Sequence, residues 1–411
     1  MKRIVVRCEQ DFTKVALMEQ DRLVEYAAER GKGKPTVGNI YKGKVVNVLP
    51  GMEAAFVDIG LGKNAFIYID DLLPAHLEKQ PKVKPSIDEL IAPGQDLLVQ
   101  VIKEAIGGKG AKVTTHFSLP GRWLVYMPNA DYVGVSRKIS SDAERERLRS
   151  FGERMRQNDE GVILRTAAEH ETEEFLEKDL FYLRERWSGI VKRSQELKSP
   201  AEVYRELDVL PRIVRDLFTE EVEEMVVDEA KTAKEIAAYI GGFAPRWKNR
   251  VKVDRSGEDI FVKFGVQDEL DKLFRQKVRL DNGASLHIDH TEALTVVDVN
   301  TGKFTGSVDL EETVFQTNLQ AAEMIARLLR VRDIGGIIIV DFIDMRLEEH
   351  QEKVLQMLEE HMKEDRTKST VVGWTKLGLL EITRKKARES SALMSLDVCH
   401  ACQGTGRVPM H

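Results

Sequence analysis

The rhythm of apolar and polar positions changes several times along the chain. Residues 1–34 hold two strand-like runs, RIVVRCEQ and KVALMEQDRLVEYAAE, followed by the loop RGKGKP. They are too short to fold alone and predict pairing with a later segment. Between 36 and 117 come five short β-branched or aromatic runs: IYKGKVVNVL, EAAFVDIG, NAFIYID, DLLVQVIKE and KGAKVTTHF. Turns rich in Gly and Pro separate them, so they predict a small antiparallel barrel of the OB type. EKQPKVKPS at 78–86 reads as a partly basic loop within it. Strand-like runs continue to 167 as WLVYMPN, YVGVSRKI and GVILRTA, with helical spacing in SDAERERLRS and GERMR. From about 172 to 240 helical spacing takes over, and Pro200 and Pro211 are expected to break it into segments.

Residues 291–345 carry the clearest pattern. TEALTVVDVN is an apolar run ending in Asp298 and Asn300, and the glycine-containing loop TGKFTGS follows. Asp309 and Glu312 have capping-box spacing. Val314, Phe315, Leu319, Ala322, Ile325, Leu328 and Leu329 then fall on one helix face. After RDIGG comes a second apolar strand, GIIIVDFID, ending in Asp341. This predicts a β-α-β unit whose strands are parallel and buried on both faces. The whole reads as an α/β chain of several subdomains.

Composition narrows the classes. A chain of 411 residues with 42% hydrophobic positions has room for two to four domains and is no disordered segment. No run approaches the ~18–20 apolar residues of a membrane span. MKRIVVRCEQDF lacks a signal-peptide core, so the expected location is cytoplasmic, away from membranes. Three cysteines exclude a disulfide framework. A net charge of −6 means that a nucleic-acid partner would need local basic patches.

The candidate chemistry lies in a few places. Asp298 and Asp341 end two parallel strands, where such sheets bind ligands. Two carboxylates at one edge suit Mg²⁺, with Asn300 orienting a carboxylate or a water. The alternative is that these aspartates cap the following loops, and Asp344 reads either way. Cys399 and Cys402 form a C-x-x-C, half of a four-ligand zinc site, with His400 badly placed between them and Cys8 distant. Zn²⁺ shared across a two-fold axis is preferred; a redox pair or two unremarkable cysteines are the alternatives. Phe56 and Phe66 on neighbouring strands, near Lys103, Lys109 and Lys112, suit base stacking with cations along the backbone. Against this, a strand Phe is ordinarily core and a Lys ordinarily solvated. The GGKG turn at 107–110 is no Walker loop. His287 and His290 of HIDH point to opposite strand faces and read as structural.

Taken in order, several stretches resemble the ribonuclease E/G family of bacterial endoribonucleases over essentially the whole chain. They are GNIYKGKVVNVLPGMEAAFVDIG, GGKGAKVTTHFSLPGRWLVYMPN, GVILRTA, TEALTVVDVN, ETVFQTNLQAAEMIARLLRVRDIGGIIIVDFIDM, LGLLEITRKK and CHACQGTG. The length suits a short, ribonuclease G-like form. The resemblance implies a ribonuclease-H-like subdomain in two parts, 1–35 and 211–275. An S1 RNA-binding barrel (36–117) and a 5′-sensor region (118–210) are inserted between them. A DNase-I-like catalytic subdomain (276–395) and a zinc-link (396–411) follow.

The same resemblance implies roles for residues. Asp298 and Asp341 match Mg²⁺ ligands, with Asn300 as a catalytic support. Gly121, Val125, Arg165 and Thr166 match a 5′-monophosphate pocket, with Arg137 beside it. Phe56, Phe66, Lys103 and Lys109 match the RNA face of the barrel, where Lys112 also falls. Cys399 and Cys402 match ligands of one structural Zn²⁺ per dimer. The family usually has Pro where this chain has His400. Longer members continue into a small domain that pairs dimers, and some into a scaffold for other enzymes. With the sequence ending at His411, the expectation is a homodimer without a degradosome scaffold. The implied function is a Mg²⁺-dependent hydrolase that cuts single-stranded RNA internally, stimulated by a 5′-monophosphate, in rRNA processing and mRNA decay. The alternative is a non-catalytic S1-type protein that binds single-stranded RNA. A DNA-acting nuclease or phosphodiesterase would leave the barrel unexplained.

Overall fold

The computed structural model describes residues 1–10, 12–30, 36–74, 81, 83–105, 109–291, 293–302, 310–385 and 402. They form two units. One comprises Met1–Lys32, Glu220–Ala238 and Arg246–His411; the other comprises Gly33–Thr219 and Tyr239–Pro245.

The first unit holds two sheets. The five-stranded one is built on Lys2–Cys8, whose Ile4, Val5 and Val6 are fully buried. That strand pairs antiparallel with Phe12–Glu19, which in turn pairs with Arg22–Arg30. Its other side pairs parallel with Val222–Val227, flanked by Val251–Val253. Here the structure corrects two expectations. KVALMEQDRLVEYAAE is not one strand; it folds back at Gln20 and Asp21, which have φ of 47° and 65°. A two-residue hairpin needs this left-handed backbone, and usually advertises it with Asn-Gly or Asp-Gly. Val222–Val227 is likewise a strand inside the stretch read as helical, because its pairing with Lys2–Cys8 outweighs local propensity.

The six-stranded sheet runs in the order Lys277–Arg279, Ser285–His290, Leu294–Asn300, Gly336–Asp341, Leu380–Arg384, Ser369–Trp374. Leu294–Asn300 and Gly336–Asp341 are parallel, as a helical crossover requires. The helix between them, Leu310–Val331, buries Val314, Phe315, Ala322, Ile325, Leu328 and Leu329, while Leu319 is half-buried. Asp309 lies outside the described residues. The core joins this helix and both sheets, with Val5, Leu23 and Tyr26 in the same apolar cluster as Leu286, Val297 and Ile338.

In the second unit the five expected strands close into a barrel. Ile40–Leu49 pairs with Ala54–Asp58, which pairs with Ala65–Tyr68 and so on through Lys112–Thr114 and Asp96–Lys103, and the last closes on the first. Val45, Ala55, Val57, Ile67, Val99, Val101 and Val113 fill it. Gly43 is required where the first strand crosses the second, since a Cβ there would sit 2.5 Å from Val57 Cγ1. The 78–86 loop lies largely outside the described residues. Ala201–Tyr204, in the stretch read as helical, adds to the barrel's first strand. A four-stranded sheet, Val133–Val135, Gly161–Leu164, Leu124–Met127 and Leu119–Pro120, follows the barrel. Helices Asp142–Met155 and Glu173–Glu196 accompany it. Pro211 does not break a helix: it sits in the first turn of Val209–Leu217, where its missing N–H has no intrahelical partner to lose. No helix among the described residues is long and apolar enough to cross a membrane.

Candidate functional site

The acid pair follows from strand register. Leu294–Asn300 buries Thr295, Val297 and Val299 against the helices, so Asp298 and Asn300 project from the open face. Gly336–Asp341 buries Ile338 and Val340 and leaves Asp341 exposed. The two strands are paired so that Asp298 and Asp341 are direct partners. Asn300 Nδ2 donates to Asp298 Oδ2 at 2.7 Å, fixing one carboxylate. Parallel neighbours lie about 4.8 Å apart, close enough for one cation to meet both carboxylates. Two carboxylates with room for waters and a phosphate are the donor set that Mg²⁺ favours. Among the described residues no cluster of three or more His, Cys, Asp or Glu side chains could hold a metal by itself. Asp344 is exposed beyond the strand end. The ladder also shows what the pattern missed: His287 lies directly opposite Asp298, and Lys277 opposite His287.

A second polar centre surrounds Arg165, at the end of the Gly161–Leu164 strand. Its Nη1 donates to the Gly121 carbonyl at 2.7 Å, and its Nη2 pairs with Asp216 at 2.7 Å. Burial pushes the Asp216 carboxyl up, but Arg165 and Arg215 outweigh it and hold it at about 2. Gly121 has no space for a side chain, since a Cβ would lie 2.4 Å from Asp179 Oδ2. That carboxylate accepts from the Trp123 N–H at 2.8 Å and the Leu124 N–H at 3.3 Å. Burial raises the Asp179 pKa, against those bonds and the pull of Arg165. Thr166 is exposed, and its hydroxyl meets Ser136 Oγ at 2.8 Å. Arg137, next to Ser136, is also exposed, while Val125 is half-buried on the strand between Pro120 and Ile163. The structure thus gathers Gly121, Arg165 and Thr166, and adds Asp216, Asp179 and Ser136. Nothing in the local sequence marks Asp216 as a partner of Arg165.

The barrel carries a third arrangement. Asn47, Phe56, Phe66, Lys112 and Lys103 are successive cross-strand partners, forming one row over its surface. Both rings are half-buried and stand outside the barrel's apolar core. Phe56 and Phe66 meet edge-to-face at 5.6 Å, and Phe66 meets Tyr68 at 4.4 Å. Tyr68 is 43% exposed and shares the parity of Phe66 along the strand, a position that alternation in the sequence marks only through Phe66. Lys112 stands 5.0 Å above the Tyr68 ring and pairs with Asp71 at 2.9 Å. Lys103 and Lys109 are exposed. Of the cysteine pair, Cys399 lies outside the described residues and Cys402 is half-buried.

Comparison with known proteins gives a consistent result. A model of the Ribonuclease E/G family matches residues 118–387, and one of the S1 RNA binding domain matches 34–111. The chain is 42% identical over 401 residues to ribonuclease G of Escherichia coli (strain K12), covering 96% of this chain and 82% of that one. Ribonuclease G of Haemophilus influenzae gives the same identity over 403 residues, with the same coverage. Ribonuclease E of Nostoc sp. is 38% identical over 396 residues, covering 95% of this chain and 57% of that one.

Proposed function

The chain belongs to the ribonuclease E/G family, and from that premise we propose that it is a Mg²⁺-dependent endoribonuclease of RNA processing and decay, acting on single strands and stimulated by a 5′-monophosphate. The observation that carries the reading is the registered pair Asp298 and Asp341, with Asn300 bonded to Asp298. These carboxylates would hold the ion, and Asn300 would keep Asp298 from turning away. Bound there, Mg²⁺ supplies charge stabilisation for the scissile phosphodiester and a water of lowered pKa.

The remaining residues act around that centre. Phe56, Phe66 and Tyr68 offer faces and edges to unpaired bases, and Lys103 and Lys109 track the phosphates. Arg165 still has donors beyond those given to Gly121 and Asp216, and with the Thr166 hydroxyl it suits a terminal monophosphate. Val125 and Arg137 border that pocket. Cys399 and Cys402 would supply half of a Zn²⁺ site completed by a second chain, making a cytoplasmic homodimer.

The test is incubation with 5′-monophosphorylated single-stranded RNA in Mg²⁺, with EDTA and 5′-hydroxyl RNA as controls. Metal-dependent internal cleavage, faster with the monophosphate, is expected. RNA binding without cleavage would leave only a binding protein.

A further inference from the structure

The open face of the six-stranded sheet extends beyond the acid pair to a basic edge. Lys277–Arg279 is the edge strand, and its burial alternates exposed, buried, exposed. Val278 fills the core, so Lys277 and Arg279 project from the same face as Asp298 and Asn300. Two rows cross the sheet there. One runs Lys277, His287, Asp298, Asp341; the other runs Arg279, Ser285, Asn300.

The pairing of charges around this edge is uneven. Arg22 is held by Glu323 at 3.4 Å and Asp281 at 3.9 Å. Lys272 and Arg327 share Glu269, and Arg330 pairs with Glu364 at 3.0 Å. Asp289 on the neighbouring strand is engaged by Gln276 and lies 3.6 Å from His287. Lys277 and Arg279 are exposed and have no carboxylate partner among the described residues. Two unneutralised cations side by side on a strand are poor for stability and good for an anion.

We infer that Lys277 and Arg279 bind the backbone of the RNA next to the bond being cut. The inference rests on the proposed endoribonuclease activity and extends it to a subsite. Two strand spacings separate the Asp298 strand from the edge strand, about 10 Å. A phosphate one or two nucleotides from the scissile one would reach Lys277 and Arg279 when the scissile phosphate lies at Asp298 and Asp341. Contacts to phosphates position the strand without reading its sequence, so these residues set affinity rather than base preference.

Lys277→Gln/Arg279→Gln tests this, because both changes are on the surface and leave Val278 in place. Fluorescence anisotropy with a single-stranded RNA of defined cleavage site should show about tenfold weaker binding at moderate salt. The slope of log K against log salt should shrink by about 1.4, about 0.7 for each lost contact. Cleavage should show a raised KM and an unchanged kcat. A neutral methylphosphonate one or two positions from the scissile phosphate should weaken wild-type binding and add nothing to the loss in the variant. Wild-type affinity and salt slope in the variant, alongside normal wild-type cleavage, would overturn the subsite and leave the activity standing. A wild type that binds the RNA but never cuts it would fail the activity itself.

Discussion

Replacing Arg165 by Ala separates a phosphate sensor from a structural brace. The structure assigns this guanidinium two duties already: a bond to the Gly121 carbonyl and a pair with Asp216, whose side chain is only 14% exposed. Holding Asp216 at about 2 instead of 3.8 is worth about 2 kcal/mol at neutral pH. Arg215 shares that work, at 3.2 Å from the same carboxylate. With that figure divided between the two guanidinia, the variant should lose roughly 1–2 kcal/mol of stability. It should remain folded, because Arg215 still neutralises Asp216. On 5′-monophosphorylated RNA a further loss is expected, since a charge-assisted phosphate contact is worth roughly 1.5–3 kcal/mol, or about 10–100-fold in rate. On 5′-hydroxyl RNA there is no such contact to lose, and the rate should change by no more than about twofold. The assay is cleavage of the two RNAs side by side, with thermal melting as the control for folding. Equal slowing of both substrates by a folded variant would refute the sensor and leave Arg165 as a brace.

Three more outcomes are expected. Phe56→Ala with Phe66→Ala should weaken single-strand binding by about 1–3 kcal/mol per lost stack. Circular dichroism should show an intact barrel, because neither ring belongs to its core; unfolding would mean that the rings are structural. Stability should fall in acid. Arg147 holds Glu144 at about 2, and Arg165 and Arg215 hold Asp216 there against burial. Depressed carboxylates stabilise the fold above their unfolded values, 4.5 and 3.8, and that stabilisation is lost as pH falls toward 2; melting temperatures that stay flat from pH 5 to pH 2.5 would contradict it. Zinc quantification with light scattering should find one zinc per two chains, lost together with the dimer in Cys399→Ser/Cys402→Ser. One zinc per chain would sink the shared site.

What could be read from the sequence was what local periodicity encodes. An apolar strand, an amphipathic helix and a second apolar strand lie consecutively at 294–341, so the apolar runs located Asp298 and Asp341; the expected burial of both strand faces fails, because Asp298, Asn300, Ile337 and Asp341 are exposed on the other face. The five barrel strands were legible for the same reason, being bounded by Gly and Pro turns. The hairpin at Gln20 and Asp21 was not, because Gln20 does not favour a positive φ and Asp21 lacks the Gly that usually follows it in such a turn. Val222–Val227 was hidden because its partner is the first strand of the chain, and no local signal records so distant a pairing. The same limit holds within the sites. Asn300 was found from its spacing to Asp298, whereas Asp216, the carboxylate that anchors Arg165, comes from the helix Val209–Leu217, about fifty residues further along the chain. Lys277 and His287 became neighbours of Asp298 only through the register of three strands.

The registered pair Asp298 and Asp341 is proposed as the catalytic metal site. Its most direct test is cleavage of a 5′-monophosphorylated single-stranded RNA by Asp298→Asn and Asp341→Asn, with binding of the same RNA measured in parallel. Each change removes a charged ligand while keeping the shape of the side chain. Cleavage should fall by about 10²–10³-fold or more, the equivalent of several kcal/mol of lost metal catalysis. Binding should stay near the wild-type value, because neither carboxylate attracts RNA. Near-normal cleavage by both variants would mean that the catalytic metal is not held by this pair.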